Sequence, residues 1–153
     1  MSSLKSGVLQ AHAVRLKAGD DLVPALLQAA SDAMSRTGTQ SAFVMSAVGS
    51  LQTVSLRMAN AGKKVDGTES LKNEVKDWNE RLEIVSLVGT FSVNGKHLHM
   101  SISDKIGNVY GGHLMSGKIF TTLELVLGTI GGVSFCREPD ESTGFDELVI
   151  RQV

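Results

Sequence analysis

Residues 82–103 read LEIVSLVGTFSVNGKHLHMSIS, and this stretch decides the fold. Two apolar segments, Leu82–Val93 and Lys96–Ser103, flank the dipeptide Asn94-Gly95. Both turn residues tolerate a positive φ angle, and Asn-Gly between β-rich segments is a strong signal for a two-residue hairpin turn. The stretch therefore predicts two antiparallel strands, with a bulge or bend at Gly89 in the first one.

Outside this hairpin, the chain alternates short apolar segments with turn residues. One segment, about residues 21–36, has apolar residues at helical spacing, with Asp20 or Asp21 as a cap and Gly38 as a stop. The polar residues 60–80 predict a loop or exposed hairpin, and 138–144 predict a loop. The remaining segments predict strands: Val8–Leu16, Ser41–Gly49, Thr53–Met58, Val109–Leu114, Phe120–Leu127 (with a short helix as its alternative), Val133–Arg137 and Leu148–Arg151. The class is α+β, with a mainly antiparallel sheet and one principal helix.

Composition limits the classes of function. The 153 residues suit one domain at 8–153, preceded by a small, polar and disordered N-terminus at 1–7. A formal net charge of −1 argues against nucleic-acid binding, which usually needs a basic excess. The single cysteine, Cys136, fits a reducing compartment and is expected to be a buried small hydrophobe rather than a nucleophile. With no signal core or membrane span, we expect a cytoplasmic protein, with a nuclear one as the alternative.

Three of the four histidines fall within seventeen residues, at His97, His99 and His113. A His-x-His pair on a strand points both imidazoles to one face, and a turn at 104–107 can return His113 beside them. The Gly111-Gly112 pair before His113 lets the backbones approach closely. Imidazole is the commonest zinc ligand, and three protein ligands with an open fourth position are typical of catalytic zinc. The pattern predicts a divalent-metal site, against the plainer interpretation of unrelated strand histidines.

Other polar residues are weaker candidates. Glu124 is a possible fourth ligand or catalytic general base, although a solvated strand carboxylate is the commoner role for such a residue. Glu83 is a second candidate for moving a proton. Arg57 or Arg81 could hold a substrate carboxylate, with a surface ion pair as the plainer alternative. His12 is expected to be structural or exposed.

The order of motifs resembles the plant-and-prokaryote conserved (PPC) domain, a family of unknown function whose members often carry a DNA-binding label. The resemblance covers about residues 8–135. It is carried by RLKAGDD at 15–21, AFVMSAVGSL at 42–51, RLEIVSLVG at 81–89, HLH at 97–99, GGHL at 111–114 and TLEL at 122–125.

The resemblance implies an α+β homotrimer in which His97, His99 and His113 bind a divalent metal, with zinc expected. It also implies a topology similar to that of acetolactate decarboxylase, a zinc enzyme. Plant relatives carry an Arg-Gly-Arg-Pro AT-hook that contacts the minor groove, and this sequence has none. Three functions follow as hypotheses: a self-association and partner-binding module, a small metal-dependent lyase or hydrolase acting on an oxo- or carboxylate compound, and a DNA-binding protein.

Overall fold

The computed structural model describes residues 4–59, 62–63, 70–71 and 74–153. One helix and ten strands follow each other along the described chain. In order they are β1 (Val8–Lys17), α1 (Leu22–Thr37), β2 (Ala42–Arg57), β3 (Gly62–Lys63), β4 (Ser70–Leu71), β5 (Val75–Trp78), β6 (Leu82–Ser92), β7 (Gly95–Ser103), β8 (Val109–Gly131), β9 (Val133–Asp140) and β10 (Phe145–Gln152). No helix in these ranges is long and apolar enough to cross a membrane.

The hairpin at Asn94-Gly95 forms as the sequence predicts. Strands β6 and β7 pair antiparallel from Ser92↔Gly95 onward, and β7 then pairs antiparallel with β8. The main sheet has the order β1-β8-β7-β6-β2-β5, and β8 also pairs with β2. The pairings therefore close a circuit of four strands, β8-β7-β6-β2, with β1 and β5 added outside it. The mainly antiparallel sheet with one long helix confirms the predicted α+β class.

Two predicted strand breaks do not exist. The segments expected at 41–49 and 53–58 are one strand, β2, and those expected at 109–114 and 120–127 are one strand, β8. Gly49 is not a strand end: a Cβ there would lie 2.1 Å from the Thr122 carbonyl oxygen, so this glycine allows β2 to approach β8. Gly117 similarly faces Leu22 of the helix. Both glycines mark close packing inside continuous strands.

Two smaller expectations also need correction, and a third is confirmed only in part. Gly89 is in register with Leu98, and the irregularity in the β6–β7 pairing falls between Ile84 and Ser86 instead. The loop expected at 138–144 is shorter, because β9 continues to Asp140 and only the residues after it turn. Within 60–80, β5 pairs with β2 and β3 pairs with β4, while 60–61, 64–69 and 72–73 lie outside the described residues.

The helix buries one face against the sheet. Leu22, Leu26, Ala30 and Ala33 are buried, and the apolar core continues into the inner faces of β2, β6, β7 and β8. Gly38 ends the helix in the left-handed conformation, as expected. Asp21 is the N-cap residue but makes no side-chain cap hydrogen bond, and Asp20 instead accepts from the Lys17 backbone N–H.

The β9–β10 hairpin folds back over the turn between β6 and β7. The Asn94 side chain donates from Nδ2 to the Arg137 carbonyl at 2.9 Å and accepts at Oδ1 from the Arg137 N–H at 2.9 Å. The turn residue that makes the β6–β7 hairpin thus also fixes the β9–β10 hairpin. At the other end of the chain, residues 1–3 lie outside the described part, and the Ser6 carbonyl accepts a hydrogen bond from Gln152.

Candidate metal centre

Strand alternation places two histidines on the outer face of β7. Leu98 and Met100 are buried in the core, so His97 and His99 point away from it and are exposed. Their Nε2 atoms lie 3.0 Å apart, and their ring centroids are separated by 4.9 Å. The prediction that His-x-His presents both rings on one face is confirmed.

The third histidine arrives from the neighbouring strand. His113 of β8 lies directly opposite His99 in the β7–β8 register, with ring centroids 5.5 Å apart. The preceding Gly112 permits this, since a Cβ there would lie 2.7 Å from the Arg57 carbonyl oxygen. Gly89 similarly lets the backbone of β6 approach that of β7 at His97. Its φ is +145°, and a Cβ there would lie 2.0 Å from the His97 carbonyl oxygen. The close backbone approach inferred from Gly111-Gly112 is therefore present.

The three rings fit a metal ion. Each offers a ligand atom, and these atoms all lie within 4.8 Å of one another. Zinc holds imidazole nitrogens at about 2.0–2.1 Å, so modest ring rotations bring all three into range. The Nδ1 atom of His113 is buried and has no hydrogen-bond partner among the described residues. Within the described ranges, no other cluster of three histidine, cysteine or acidic side chains has this geometry.

The electrostatic environment favours the neutral form of two of the three histidines. Burial, followed by the nearby Arg57 charge, lowers the pKa of His113 to about 4. Burial, followed by the charge of His99, also lowers the pKa of His97. A metal ligand must be the unprotonated imidazole, so both shifts favour the form that binds a cation at neutral pH.

A pocket of about 540 Å³ opens on the β2 side of the cluster. Its lining includes His99, His113, Arg57 and Phe145. The Arg57 guanidinium lies over the Phe145 ring, 5.4 Å from its centroid, and Arg57 is the β2 partner of His113 in the sheet. Arg57 therefore lies beside the histidines, where it could hold a substrate carboxylate as the sequence suggested. Arg81 has no such position, because its guanidinium stacks over Phe120 at 4.6 Å.

A second pocket, of about 370 Å³, opens on the β9–β10 side. His97 and His99 line it together with Arg137 and Glu147. Sequence reasoning missed both Arg137 and Glu147, which lie between 24 and 50 residues after the histidines. The Asn94 side chain links β9 to the hairpin. The local sequence around Asn94 does not identify its partner, so it could not reveal Arg137 or Glu147.

Glu124 is not part of this cluster within the chain. It is exposed on β8, opposite Arg15 and Val48, and it lines a separate groove. Within one chain it does not reach the histidines, so its role as a fourth ligand or catalytic base stays a prediction. Ten residues of a continuous strand lie between it and His113, and the strand rises about 3.3 Å per residue.

The other candidates also lie elsewhere. Glu83 is exposed on β6 opposite Ser50. His12 shares a 3.2 Å hydrogen bond with the Thr129 hydroxyl, which matches its expected structural role. Cys136 is half-buried among polar groups, not a buried small hydrophobe: its thiol donates to Glu138, and Arg151 donates to its sulfur at 2.8 Å. Partial desolvation, followed by the Glu138 hydrogen bond, raises the pKa of this thiol, which disfavours the nucleophilic thiolate.

Comparisons with known proteins agree with this architecture. The chain is 39% identical over 151 residues to the bifunctional protein GlmU of Synechococcus sp. (strain JA-3-3Ab). The match covers 98% of this chain and 22% of GlmU, so the chain spans about a fifth of the length of this relative. A hypothetical protein of Salmonella cholerae-suis is 30% identical with a TM-score of 0.81, and the alignment covers 97% of each chain.

A metal-containing protein of Archaeoglobus fulgidus is 27% identical with a TM-score of 0.75, covering 97% of this chain and 99% of that one. More distant structures show the fold alone. A Bacteroides thetaiotaomicron protein with a provisional DNA-binding label is 18% identical, with a TM-score of 0.70 and coverage of 95% and 98%. A Staphylococcus aureus protein similar to alpha-acetolactate decarboxylase is 17% identical, with a TM-score of 0.50 over 75% of this chain and 50% of that one.

The sequence itself matches the domain described as Plants and Prokaryotes Conserved (PCC) over residues 4–131, most of its length. The match includes the β6–β7 hairpin, the His-x-His pair and the Gly-Gly-His segment. With the fold, the motifs and the family match in agreement, this chain belongs to the Plants and Prokaryotes Conserved domain family.

Proposed function

We propose that the chain is a divalent-metal-binding domain, with zinc as its metal, that assembles as a homotrimer and serves as a self-association and partner-binding module. One observation carries the metal proposal: three imidazoles from two adjacent strands offer ligand atoms within 4.8 Å of one another. His97 and His99 are exposed, so burial in the core does not explain why the three rings converge. The metal-containing relative from Archaeoglobus fulgidus supports it.

Elemental analysis of the purified and dialysed chain tests the site. We expect about one zinc per chain, because three imidazole ligands are the number that typical open zinc sites use. His97→Ala should lower metal affinity at least about a hundredfold, since even residues that only orient ligands contribute about 10–100-fold. His12→Ala is the matched control, because within the described ranges the His12 side chain bonds only to Thr129. A His97→Ala protein that keeps its full metal content would contradict the proposed metal site.

The proposal of self-association rests on apolar residues that point away from the core. Val48 and Met45 on β2, and Val85 and Val88 on β6, have between 45% and 56% of their surface exposed. Met45, Val85 and Val88 each follow a buried residue, and Val48 lies between two half-buried ones. Strands β2 and β6 are neighbours in the sheet. Exposed apolar residues on neighbouring strands can form a patch typical of protein interfaces, and a symmetric assembly would bury them. The match to about a fifth of GlmU supports a module that also occurs within longer chains.

Light scattering on the purified chain measures the assembly directly. We expect a particle of three chains, and Val48→Lys should shift it to monomers because it places a charge in the interface. Ile106→Lys is the control, since Ile106 is equally apolar but lies in the turn after β7 and is 76% exposed. A wild-type monomer at micromolar concentration, or equal behaviour of the two variants, would contradict the proposal.

A second candidate function is a small metal-dependent enzyme acting on an oxo- or carboxylate compound. The specific observation that favours it is the pair of arginines, Arg57 and Arg137, on opposite sides of the histidines. A bound zinc ion would act as a Lewis acid toward a substrate oxygen. The half-buried Glu147 lines the pocket with His97 and His99 and could hold or move a proton there.

Turnover of small oxo-acids, with and without a chelator, tests this candidate. Glu147→Gln should lower the rate about 10²–10⁴-fold, the usual contribution of a proton-transferring side chain. Glu141→Gln, in the exposed turn after β9, is the control. Zinc-loaded protein that turns over no oxo-acid would leave the association module as the function.

A further inference from the structure

Arg137 is a buried cation at the edge of the metal centre. Only 9% of its surface is exposed, and its Nε is buried without a hydrogen-bond partner among the described residues. Its position is fixed from several sides. Nη2 donates to the Thr90 hydroxyl at 2.7 Å, and both backbone polar groups of Arg137 bond to the Asn94 side chain at 2.9 Å. The guanidinium is therefore held in place before any ligand arrives.

This cation has no anionic partner in the described part of the chain. The ion pairs there join Lys76 to Glu74, Lys118 to Asp21 and Arg151 to Glu138, and none includes Arg137. Removing a charged group from water is costly unless a partner of opposite charge or a full set of hydrogen bonds replaces the water. A buried arginine with an unpaired Nε is therefore expected to have its partner outside the described chain.

The surroundings of Arg137 indicate where that partner binds. Arg137 lines the 370 Å³ pocket together with His97, His99 and Glu147. That volume lies in the range of small-molecule sites, about 300–1,000 Å³. A guanidinium presents parallel N–H donors that match the two oxygens of a carboxylate. We propose that Arg137 binds the carboxylate of a small 2-oxo acid, whose neighbouring oxo group lies toward the metal held by His97, His99 and His113.

This proposal extends that of the metal site. It depends on the metal only for the position of the oxo group, and not for binding of the carboxylate. Arg57 is a poorer carboxylate partner than Arg137, because it is only half-buried and its guanidinium stacks on Phe145. Glu147 lines the same pocket, and its negative charge disfavours ligands with additional anionic groups there. A monocarboxylate therefore fits between the positive Arg137 and the negative Glu147 better than a phosphate or a tricarboxylate.

Nuclear magnetic resonance of the arginine Nε–H groups tests the proposal on the intact chain. Pyruvate is added to zinc-loaded protein, while chloride at the same ionic strength and inorganic phosphate serve as comparison anions. The Arg137 Nε–H resonance, assigned by its loss in Arg137→Gln, should shift with pyruvate in a saturable way and stay in place with chloride. Arg137→Gln should weaken pyruvate binding by about tenfold or more, because it removes a charge-assisted hydrogen bond. Arg36→Gln, exposed in the last turn of the helix, is the control.

The same titration on zinc-free protein separates this proposal from that of the metal site. If the chain binds no zinc but the Arg137 resonance still shifts with pyruvate, the carboxylate site stands and the metal site fails. If zinc binds but pyruvate leaves the Arg137 resonance unchanged, the metal site stands and the carboxylate site fails. A larger shift with phosphate than with pyruvate overturns the assignment of the ligand class. Should Arg137→Gln not fold, the Nε–H titration of the wild-type chain, with the resonance assigned from through-bond spectra, still decides the question.

Discussion

The two faces of strand β7 carry opposite kinds of chemistry. The inner face presents Leu98, Met100 and Ile102, which are at most 2% exposed and lie in the core. The outer face presents His97 and His99, both exposed, and the His97 ring lies beside those of His99 and His113. One strand of nine residues thus holds the fold with one set of side chains and the candidate site with the other.

This contrast predicts that the site is not needed for folding. The inner residues contribute hydrophobic free energy, about 1.5–3 kcal/mol for each large side chain buried. The outer histidines contribute little of this kind, so their convergence needs another explanation, and metal binding supplies one. Substitutions on the inner face should change stability, whereas those on the outer face should change ligand binding.

Gly89→Ala is expected to have the largest effect, since it acts on both faces together. The residue has a φ of +145°, and a Cβ would meet the His97 carbonyl oxygen at 2.0 Å. A strained backbone conformation costs about 1–3 kcal/mol, and the backbone displacement adds to it. We expect a loss of about 4 kcal/mol or more in the free energy of unfolding, measured by urea denaturation, together with weaker zinc binding. Gly107→Ala is a control for positive φ, because a Cβ there meets nothing within 4 Å.

Leu98→Ala should affect the inner face alone. Leu98 is completely buried between its core neighbours, so the substitution leaves a cavity. The expected loss in the free energy of unfolding is about 2–5 kcal/mol, with zinc stoichiometry unchanged in the protein that stays folded. A combined urea and metal-content measurement checks both statements. Loss of zinc from folded Leu98→Ala protein would show that the two faces are coupled.

The sequence predicted the parts of this contrast that local patterns determine. Strand period two placed His97 and His99 on one face, and Asn94-Gly95 fixed the hairpin that carries them. Strand continuity was not predictable in this way, because Gly49 and Gly117 have the same local appearance in a turn and in a closely packed strand. Arg137 and Glu147 were missed since tertiary contacts bring them to the histidines: Arg137 of β9 bonds to Asn94 and Thr90, and β10, which carries Glu147, pairs with β9.

Acid should destabilise the zinc-free chain by protonating His113 and His97. The folded pKa of His113 is about 4, whereas the unfolded value is near 6.5, and the pKa of His97 is lowered as well. The unfolded chain therefore binds more protons between these values, so stability falls as the pH drops from about 6.5 toward 4. Because His113 is only half-buried, we expect a loss of about 1 kcal/mol from it, discounted for solvent screening.

Urea denaturation at several pH values measures this slope, with His113→Asn as the comparison. The carboxyl groups with lowered pKa, Asp104, Glu138 and Asp140, have ordinary values of 4.5 or below. Their contribution is lost at lower pH, so the interval from about pH 5 to 6.5 reports mainly on histidines. An unchanged slope in His113→Asn would mean that His113 is solvated and readily protonated, and not held neutral by burial.

His99→Ala should have the smallest effect on folding, and this makes it the sharpest test of the contrast between the faces. His99 is exposed and bonds only to His97 among the described residues, so removing it from the zinc-free chain should change the free energy of unfolding by less than about 0.5 kcal/mol. The zinc-loaded wild type should gain stability with zinc concentration, since a ligand that binds only the folded state stabilises it by mass action. His99→Ala should lose this gain, and thermal melts with and without zinc compare the two proteins directly. A zinc-free His99→Ala chain that is destabilised as much as Leu98→Ala would mean that the outer face also holds the fold, and the histidines would then need no metal to explain them.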